Sequence, residues 1–488
     1  MPLILIALPL VMALLCLMVT DRRLLGAISI VGLATIVFTT VLIARQVFAG
    51  SNVVWGQFIF IDALSSLILC LVAIIGLMVA LYSLGYLAHD IREGELLERR
   101  LKYYYFSVYI FVFTMFLVLV SANLGIMWVA VEGTTLATAL LVGFYNKRNS
   151  LEAAWKYIII CTVGIIFALF GTILLHYAAV SVTGESGSLD WQTLRRAAQQ
   201  LDPKLLKLAF IFVLVGYGTK AGLAPMHTWL PDAHSQAPSP ISAMLSGVLL
   251  NCAFYSIIRF HLIVSEALGP QFSSNLILIF GVLSIAVALP FILVQHDIKR
   301  LLAYSSVEHM GIIAAAVGLG SKLALYGAFL HMINHALTKS SLFFIVGNVC
   351  QHYRTKRIIR IKGLVKTMPI TGPALVIGGL AIAGSPPFSI FMSEFIILSS
   401  GFAQGRYVVS SLILILITLI FTGIIYATSN MALGTPPNRV KVGERGQGKF
   451  AIVLVLISLV PVVILGVYIP VFIQNVLHQV TAVFVGGN

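Results

Sequence analysis

The stretch LLKLAFIFVLVGYGTKAGLAP, residues 205–225, decides how this chain folds. Apart from Lys207 and Lys220 it carries no charge over about twenty residues, the length of helix that crosses a hydrocarbon core roughly 30 Å thick. It ends on Gly222 and Pro225, and proline interrupts a helix because it lacks an N–H and clashes with the preceding turn. The stretch therefore predicts a membrane-spanning helix that holds a charge inside and breaks near its end.

Comparable apolar runs recur along the whole chain, and we count about fourteen. They cover residues 2–19, 24–47, 60–86, 103–120, 124–145, 154–182, 205–226, 238–263, 275–294, 300–319, 324–348, 373–402, 408–432 and 449–477. We expect the first run to be a span and not a cleaved signal, because no basic stretch precedes it and no small-residue cleavage site follows it.

The composition excludes a water-soluble fold. Of the 488 residues, 59% are hydrophobic and 10% are charged, and the mean hydropathy is +1.02. Too little polar surface exists to cover such a chain in water. In lipid, every backbone group must be satisfied internally, so the spans are helices or a closed barrel. Long apolar runs, instead of short alternating segments, predict an all-α polytopic membrane protein with about fourteen transmembrane helices.

In a membrane protein, the net charge of +14 is evidence about which loops face the cytoplasm and not about nucleic-acid binding. Successive loops lie on opposite sides of the membrane and so form two sets. One set holds twenty basic residues, among them Arg439, Lys441 and Arg445, and the other holds six. By the positive-inside rule, both termini are predicted to lie outside the cell (inner) membrane. The basic stretch 352–367 either follows this rule or docks an acidic partner.

A second break, Gly384-Ser385-Pro386-Pro387, lies in the twelfth run. Broken helices at corresponding places in two halves point to inverted repeats with an ion site near the midplane. The two breaks lie about five spans apart, and inverted topology requires an odd offset. The alternative is that each is an ordinary kink.

Ionisable residues inside several runs are the strongest functional signal. Such a group costs several kcal/mol in the bilayer unless it is paired or hydrated. These residues are Glu132, Lys220, Lys339 and Glu394, with Arg259 and His261 toward the end of the eighth run. The alternatives are structural pairing for the first four, a headgroup contact for Arg259 and a hydrogen-bonded core histidine for His261.

The spacing of His331, His335 and Lys339 places them on one helical stripe roughly 12 Å long. Titratable groups in a stripe suit a proton relay, because histidine titrates near neutral pH and a desolvated lysine releases its proton more readily. Glu132 is expected to pair with Lys220, and making and breaking that pair would act as a switch. Metal binding by the two histidines is the alternative.

No resident cofactor or metal is expected. The five cysteines form no CxxC pair and lie in or beside apolar runs, so they are predicted to be core residues. The glycine-rich stretches follow no strand and match no nucleotide, nicotinamide or flavin motif. Any iron–sulfur chemistry is then expected in partner subunits.

Three motifs carry a resemblance to a known family. GYGTKAGLAPMHTWLPDAHSQAPSPISAMLSG from Gly216, DIKRLLAYSSVEHMG from Asp297 and SPPFSIFMSEF from Ser385 resemble the antiporter-like subunits of respiratory complex I, membrane-bound hydrogenases and multisubunit cation/proton antiporters. The resemblance covers about residues 60–430. LLNCAFYSIIR and AYSSVEHMG look most like the F subunits of hydrogenase-4 and formate-hydrogenlyase-type complexes.

The resemblance implies roles for single residues. Glu132 and Lys220 look like the family's fifth-helix glutamate and seventh-helix lysine, and Glu394 like its twelfth-helix titratable residue. His331, His335 and Lys339 look like the connecting residues of the eleventh helix. Many relatives have a lysine in the eighth helix where this chain has Asn251, a place that Arg259 or His261 would have to fill. The further candidates for the pathway are Asn251, Arg259, His261, His227 and Asp232.

The resemblance also implies an architecture and an activity. It implies two inverted five-helix repeats, at 103–263 and 275–432, between N-terminal helices at 1–102 and a C-terminal transmembrane helix at 449–488, with no room for a long lateral helix. It implies a proton-translocating subunit of a redox-driven complex, most closely a group 4 nickel–iron hydrogenase, with membrane and peripheral partner subunits. The alternatives are a sodium/proton antiporter subunit without redox partners, a complex I-type quinone oxidoreductase subunit, and a passive scaffold.

Overall fold

A computed structural model describes residues 2–184, 188–437, 440, 442–443 and 449–484. Most of these residues lie in helices. The first helices, through the first half of the seventh span, are α1 Pro2–Met18, α2 Arg22–Phe48, α3 Ala63–Arg92, α4 Leu101–Val120, α5 Leu124–Val142, α6 Arg148–Thr183 and α7a Pro203–Ala221.

The remaining helices follow in chain order. They are α7b Trp229–Gln236, α8 Ser239–Leu268, α9 Gln271–Leu293, α10 Ile298–Leu319, α11 Lys322–Tyr353, α12a Thr371–Ile382, α12b Ser389–Ala403, α13 Tyr407–Ala432, α14 Lys449–Val467 and α15 Val471–Ala482. The described strands are β1 Val53–Trp55 and β2 Ile59–Ile61, which form an antiparallel hairpin between α2 and α3.

The prediction of an all-α membrane protein with about fourteen spans is confirmed. Within the described residues, eleven helical segments are long and apolar enough to cross a membrane alone. The shorter α1 and the paired half-helices α12a and α12b supply two more spans. The fourteenth is α11, which is 32 residues long and contains the predicted run 324–348, although its middle carries several polar residues. Its polarity is possible because its middle is enclosed by protein.

The last predicted run, 449–477, does not form one helix. It divides before Pro470 into α14, which is apolar throughout, and α15, which is amphipathic. Proline at the N-cap of α15 starts the new helix, because it cannot continue the old one. Residues 485–488 of the predicted C-terminal segment lie outside the described residues, as do Arg439, Lys441 and Arg445.

Both predicted breaks are present and alike. Gly222 and Gly384 each have φ of +76°, and each is followed three residues later by a proline, Pro225 or Pro387. A positive φ is available to glycine because it has no Cβ. The seventh and twelfth spans are therefore both divided by a Gly-X-X-Pro break.

The loops form two sets on opposite sides of the bundle. On one side Ile59 pairs with Ser121, and Asn123 pairs with Asp190. We call this the terminal side, since α1 begins there and α14 ends there. The other side, which we call the basic side, is tied together by a backbone pairing of Asp297 with Arg357. This arrangement places the described members of the larger basic set on one face.

Three helices form the centre of the molecule. Every residue from 237 to 264, which includes most of α8, is buried, and so are nearly all of those in α10 and in the middle of α11. In α8 the segment Leu245–Leu249 is π-helical, a form that often marks functional positions. The outer helices, such as α6 and α13, expose many apolar side chains, as expected for a surface that faces lipid.

Candidate functional site

Lys220 lies fully buried at the end of α7a, directly before the first break. Its Nζ donates to Thr135 Oγ1 of α5 at 2.8 Å and to the Tyr157 hydroxyl of α6 at 2.5 Å. The Tyr157 hydroxyl in turn lies 2.6 Å from Thr138 Oγ1. A lysine enclosed by hydroxyl groups can keep its proton or lose it without a large rearrangement, because each hydroxyl donates as well as accepts.

Glu132 lies one helical turn before Thr135 on α5. Its Oε1 accepts a hydrogen bond of 2.8 Å from Thr162 Oγ1, and its Oε2 is buried without a partner among the described residues. No ion pair joins Glu132 and Lys220 in this conformation, since Lys220 bonds to the two hydroxyls. The structure thus shows the separated arrangement of these two residues.

Lys339 on α11 repeats this arrangement in the second half of the chain. It is fully buried, and its Nζ donates to the Leu302 carbonyl at 2.7 Å and to Ser305 Oγ of α10. Glu308 lies one turn after Ser305 and is buried, with Oε2 unpartnered among the described residues. In both halves, a lysine binds a hydroxyl that is three residues from a glutamate on a neighbouring helix.

Three imidazoles continue from Lys339 toward the twelfth span. His335 and His331 follow on the same face of α11, and His309 of α10 lies between them, with ring centroids 5.3 and 5.1 Å away. His309 Nδ1 is 3.0 Å from His331 Nε2. His331 Nδ1 is 3.0 Å from Ser393 Oγ of α12b, and His309 Nε2 is 3.2 Å from the Ile382 carbonyl.

Glu394 ends this series on α12b, beside the second break. It is 7% exposed, and a Cβ at Gly384 would overlap its carboxylate. It interacts electrostatically with Glu308. We call Lys339, Glu308, His335, His309, His331 and Glu394 the buried row.

Part of the buried row also has the donor set of a metal site. One ligand atom each of His309, His331 and Glu394 lies within 4.8 Å of the others. The far nitrogens of both imidazoles already have hydrogen-bond partners, as is common for metal-ligating histidines. His335, which the sequence paired with His331 as an alternative metal site, does not belong to this trio.

Arg259 is placed away from the buried row, near the terminal side. Its guanidinium binds Asp62 at 2.7 and 2.8 Å, and it donates to Ser65 Oγ at 2.9 Å. Both charged side chains are at most 5% exposed. Asp62 also caps the first turn of α3 through Ser65. This closed ion pair joins α3 to α8.

The other four candidate residues have separate surroundings. His261 Nδ1 is 2.8 Å from Ser273 Oγ of α9, which is the environment of a hydrogen-bonded core histidine. Asp232 lies near the surface, paired with Arg300 and 3.5 Å from Lys156. The two others are His227, which follows the first break against Phe291 and Tyr304, and Asn251, which donates to the Gly247 carbonyl at 3.0 Å.

Sequence reasoning missed several residues of the site. Glu308 and His309 lie inside the quoted motif AYSSVEHMG but were not singled out, although the rule applied to Glu132 covers both. Tyr157 was missed because it is uncharged, and the search considered charged residues in apolar runs. His234, on α7b, is fully buried, and neither of its ring nitrogens bonds to a described residue.

Comparison with known proteins finds two family models that match this chain. Residues 121–422 match the family model described as NADH:quinone oxidoreductase/Mrp antiporter, TM, and residues 53–94 match the one for the N-terminus of chain 5 of NADH-ubiquinone oxidoreductase (complex I). The first of these covers the buried row, Glu132 and Lys220.

Two curated relatives and one solved structure are similar over most of the chain. A hydrogenase-4 component F homolog of Methylacidiphilum infernorum is 45% identical over 74% of this chain and 76% of its own. NADH-quinone oxidoreductase subunit N of Desulforudis audaxviator is 31% identical over 85% and 81%. A chain of the archaeal membrane-bound sulfane sulfur reductase shares the fold, with a TM-score of 0.88, 23% identity, and coverage of 99% and 97%. The chain belongs to the NADH:quinone oxidoreductase/Mrp antiporter transmembrane family.

Proposed function

We propose that this chain is a proton-translocating, antiporter-like subunit of a redox-driven membrane complex. The observation that carries the proposal is the buried row, six titratable side chains on α10, α11 and α12b in the most enclosed part of the molecule. Burial of so many ionisable groups is costly in a bilayer, and they mark ion pathways in membrane proteins. Short separations between the imidazoles suit proton transfer.

The geometry supports a route through the second half. Lys339 releases a proton to His335, which becomes an imidazolium and passes it to His309. His309 and His331 exchange it across their 3.0 Å contact, and Glu394 receives it as a carboxylate. Glu394 lies on the half-helix that leads to the terminal side, so it delivers the proton in that direction. Glu308 interacts electrostatically with Lys339, so its protonation state influences when Lys339 releases its proton.

Glu132 and Lys220 form the corresponding unit of the first half. Lys220 bonds to Thr135 and Tyr157, and Glu132 lies one turn before Thr135, so movement of either charge changes the electrostatic energy of the other. A charge change that starts in a redox partner would thereby favour proton loss from Lys220. We propose that the two halves are inverted repeats at 103–263 and 275–432, supported by the matching Gly-X-X-Pro breaks.

A reconstituted complex that carries Lys220→Ala tests this function. We expect redox turnover without proton translocation, or loss of both activities. Lys207→Ala is the matched control, because Lys207 lies on the same helix but is exposed. Full pumping by Lys220→Ala would refute the mechanism.

The 45% identity to a hydrogenase-4 component F homolog supports a group 4 hydrogenase-like complex as the assembly, with membrane and peripheral subunits as partners. Purification of the native complex followed by mass spectrometry tests this, and hydrogenase large and small subunits are the expected partners. Copurification with antiporter subunits alone would contradict it.

A sodium/proton antiporter subunit is the second candidate, because the matching family also includes Mrp antiporters. The two differ in ion dependence. Proton uptake that requires sodium but no electron donor would favour the antiporter.

We further propose that the basic side faces the cytoplasm and both termini lie outside, because alternate loops carry twenty basic residues against six. A protease-cleavable tag before Pro2 is expected to be cut from outside in intact cells. Cleavage only after the cells are opened would reverse the orientation.

A further inference from the structure

A cavity of about 430 Å³ lies on the basic side, between the ends of α3, α5 and α11. Its rim is charged, with Arg354 paired to Glu93 and Lys147 paired to Glu95. Deeper in the cavity, Asp90 accepts hydrogen bonds from the Tyr145 hydroxyl at 2.5 Å and from Gln351 at 2.8 Å. The cavity is therefore polar from its rim inward.

Two lysines close the inner end of the cavity. Lys299 is 3% exposed and donates to the Ala237 carbonyl at 2.9 Å, and Lys356 donates to the Ser235 carbonyl. Burial lowers the pKa of Lys356, which lies in the loop after α11. Ser235 lies in the last turn of α7b and Ala237 directly follows that helix, so both carbonyls lie within three residues of His234.

His234 lies behind these lysines, between the cavity and the buried row. Its ring stacks on Phe343 with centroids 5.4 Å apart, and Phe343 is one helical turn after Lys339 on α11. Lys299 and Lys339 both act on it electrostatically. Neither ring nitrogen bonds to a described residue, so both are available to accept or donate a proton.

We infer that this cavity is where protons enter from the basic side, and that Lys299 and His234 carry them to Lys339. In each step one proton moves and no electron moves. The Lys299 ammonium protonates His234, and the resulting imidazolium protonates the Lys339 amine. The inference rests on the proposed function and adds the uptake path to it.

Two other cavities on the same side lack such a connection. They have volumes of about 670 and 630 Å³, and the residues that line them include no member of the buried row and neither Lys299 nor His234. Size alone therefore does not select the entry site.

Cys350 provides a native probe, because it lines the cavity and is half-buried. The complex in sealed vesicles with the basic side outward is treated with a negatively charged, membrane-impermeant methanethiosulfonate. We expect a mixed disulfide on Cys350 and a fall in proton translocation of about tenfold, since the adduct fills the entry path. In the Cys350→Ser control, the reagent should have no effect.

A second variant tests the inner step. His234→Phe keeps an aromatic ring against Phe343 but removes both nitrogens, and we expect about tenfold slower translocation with Cys350 still labelled. His176→Phe, at a half-buried histidine on α6 that is outside the buried row and the candidate pathway, is the control and should translocate normally.

The outcomes separate this inference from the proposed function. Failure of Cys350 to react from the basic side, or reaction without any loss of translocation, would overturn the entry path. Wild-type translocation by His234→Phe would overturn the transfer through His234. An untreated wild-type complex that moves no protons would instead contradict the proposed function itself.

Discussion

At the scale of single residues, the fully buried lysines Lys220 and Lys339 are held by hydroxyl groups and a backbone carbonyl instead of carboxylates. A buried lysine in a tight ion pair stays charged, because the carboxylate stabilises its ammonium. Thr135 and Tyr157 around Lys220, and Ser305 and Leu302 around Lys339, give a weaker preference for the charged form. Proton release from these lysines then needs only a nearby change in charge.

Tyr157→Phe tests the role of this hydroxyl shell. The substitution keeps the ring that packs against Trp229 but removes the bond to Lys220. A hydrogen bond to a charged group contributes about 1.5–3 kcal/mol, so we expect translocation to fall by roughly tenfold or more. The measurement is the initial rate of vesicle acidification per redox turnover. Tyr104→Phe, which removes a buried bond to Ser83 elsewhere, is the control and should leave this rate unchanged.

The Asp62–Arg259 pair is predicted to support the fold and not transport. Asp62→Ala leaves a buried guanidinium uncompensated, which costs about 3–5 kcal/mol. We expect a much lower unfolding temperature in detergent. The double variant Asp62→Leu/Arg259→Met should recover most of the loss, because an apolar pair replaces both charges. Loss of translocation in a stable double variant would instead place Arg259 in the pathway.

At the scale of helices, the sequence predicted the spans and both breaks because each rests on local chemistry. Apolar length identifies a span, and Gly-X-X-Pro identifies a break. It did not predict the division before Pro470, because α14 and the start of α15 form one apolar run. Nor did it predict that His309 of α10 lies between two histidines of α11, since this depends on how two helices pack.

The second break is predicted to need glycine. Gly384 has φ of +76°, and a Cβ there would overlap the Glu394 carboxylate. Gly384→Ala is therefore expected to destabilise the protein by about 1–3 kcal/mol and to reduce translocation, because Glu394 must move. Thermal unfolding and vesicle acidification measure the two effects. Gly76→Ala, in a helix with room for a methyl group, should be neutral or stabilising; a neutral Gly384→Ala would contradict this account.

At the scale of the whole molecule, the titratable side chains within the spans lie where the helices are enclosed by other helices. The central helices α10 and α11 carry all of the buried row except Glu394, whereas the outer helices present apolar side chains to lipid. This order lets titratable groups persist at membrane depth, because protein surrounds them.

The sequence could identify most of the buried charges, because a charge in an apolar run is conspicuous. Lys220, Lys339, Glu132 and Glu394 were found in this way. It could not show that Lys220 bonds to Tyr157 instead of Glu132, or that Arg259 is enclosed by Asp62. Both facts depend on contacts between residues far apart in the chain.

The most direct test of the central claim is the number of protons translocated per electron pair by a complex that carries Lys339→Ala, reconstituted in vesicles with a pH-sensitive dye. In the proposed route Lys339 is the member of the buried row that transfers protons to the histidines, so the ratio should fall to near the background of unsealed vesicles. Lys322→Ala, at an exposed lysine on the same helix, is the control and should keep the wild-type ratio. An unchanged ratio in Lys339→Ala would contradict the proposal that the buried row conducts protons.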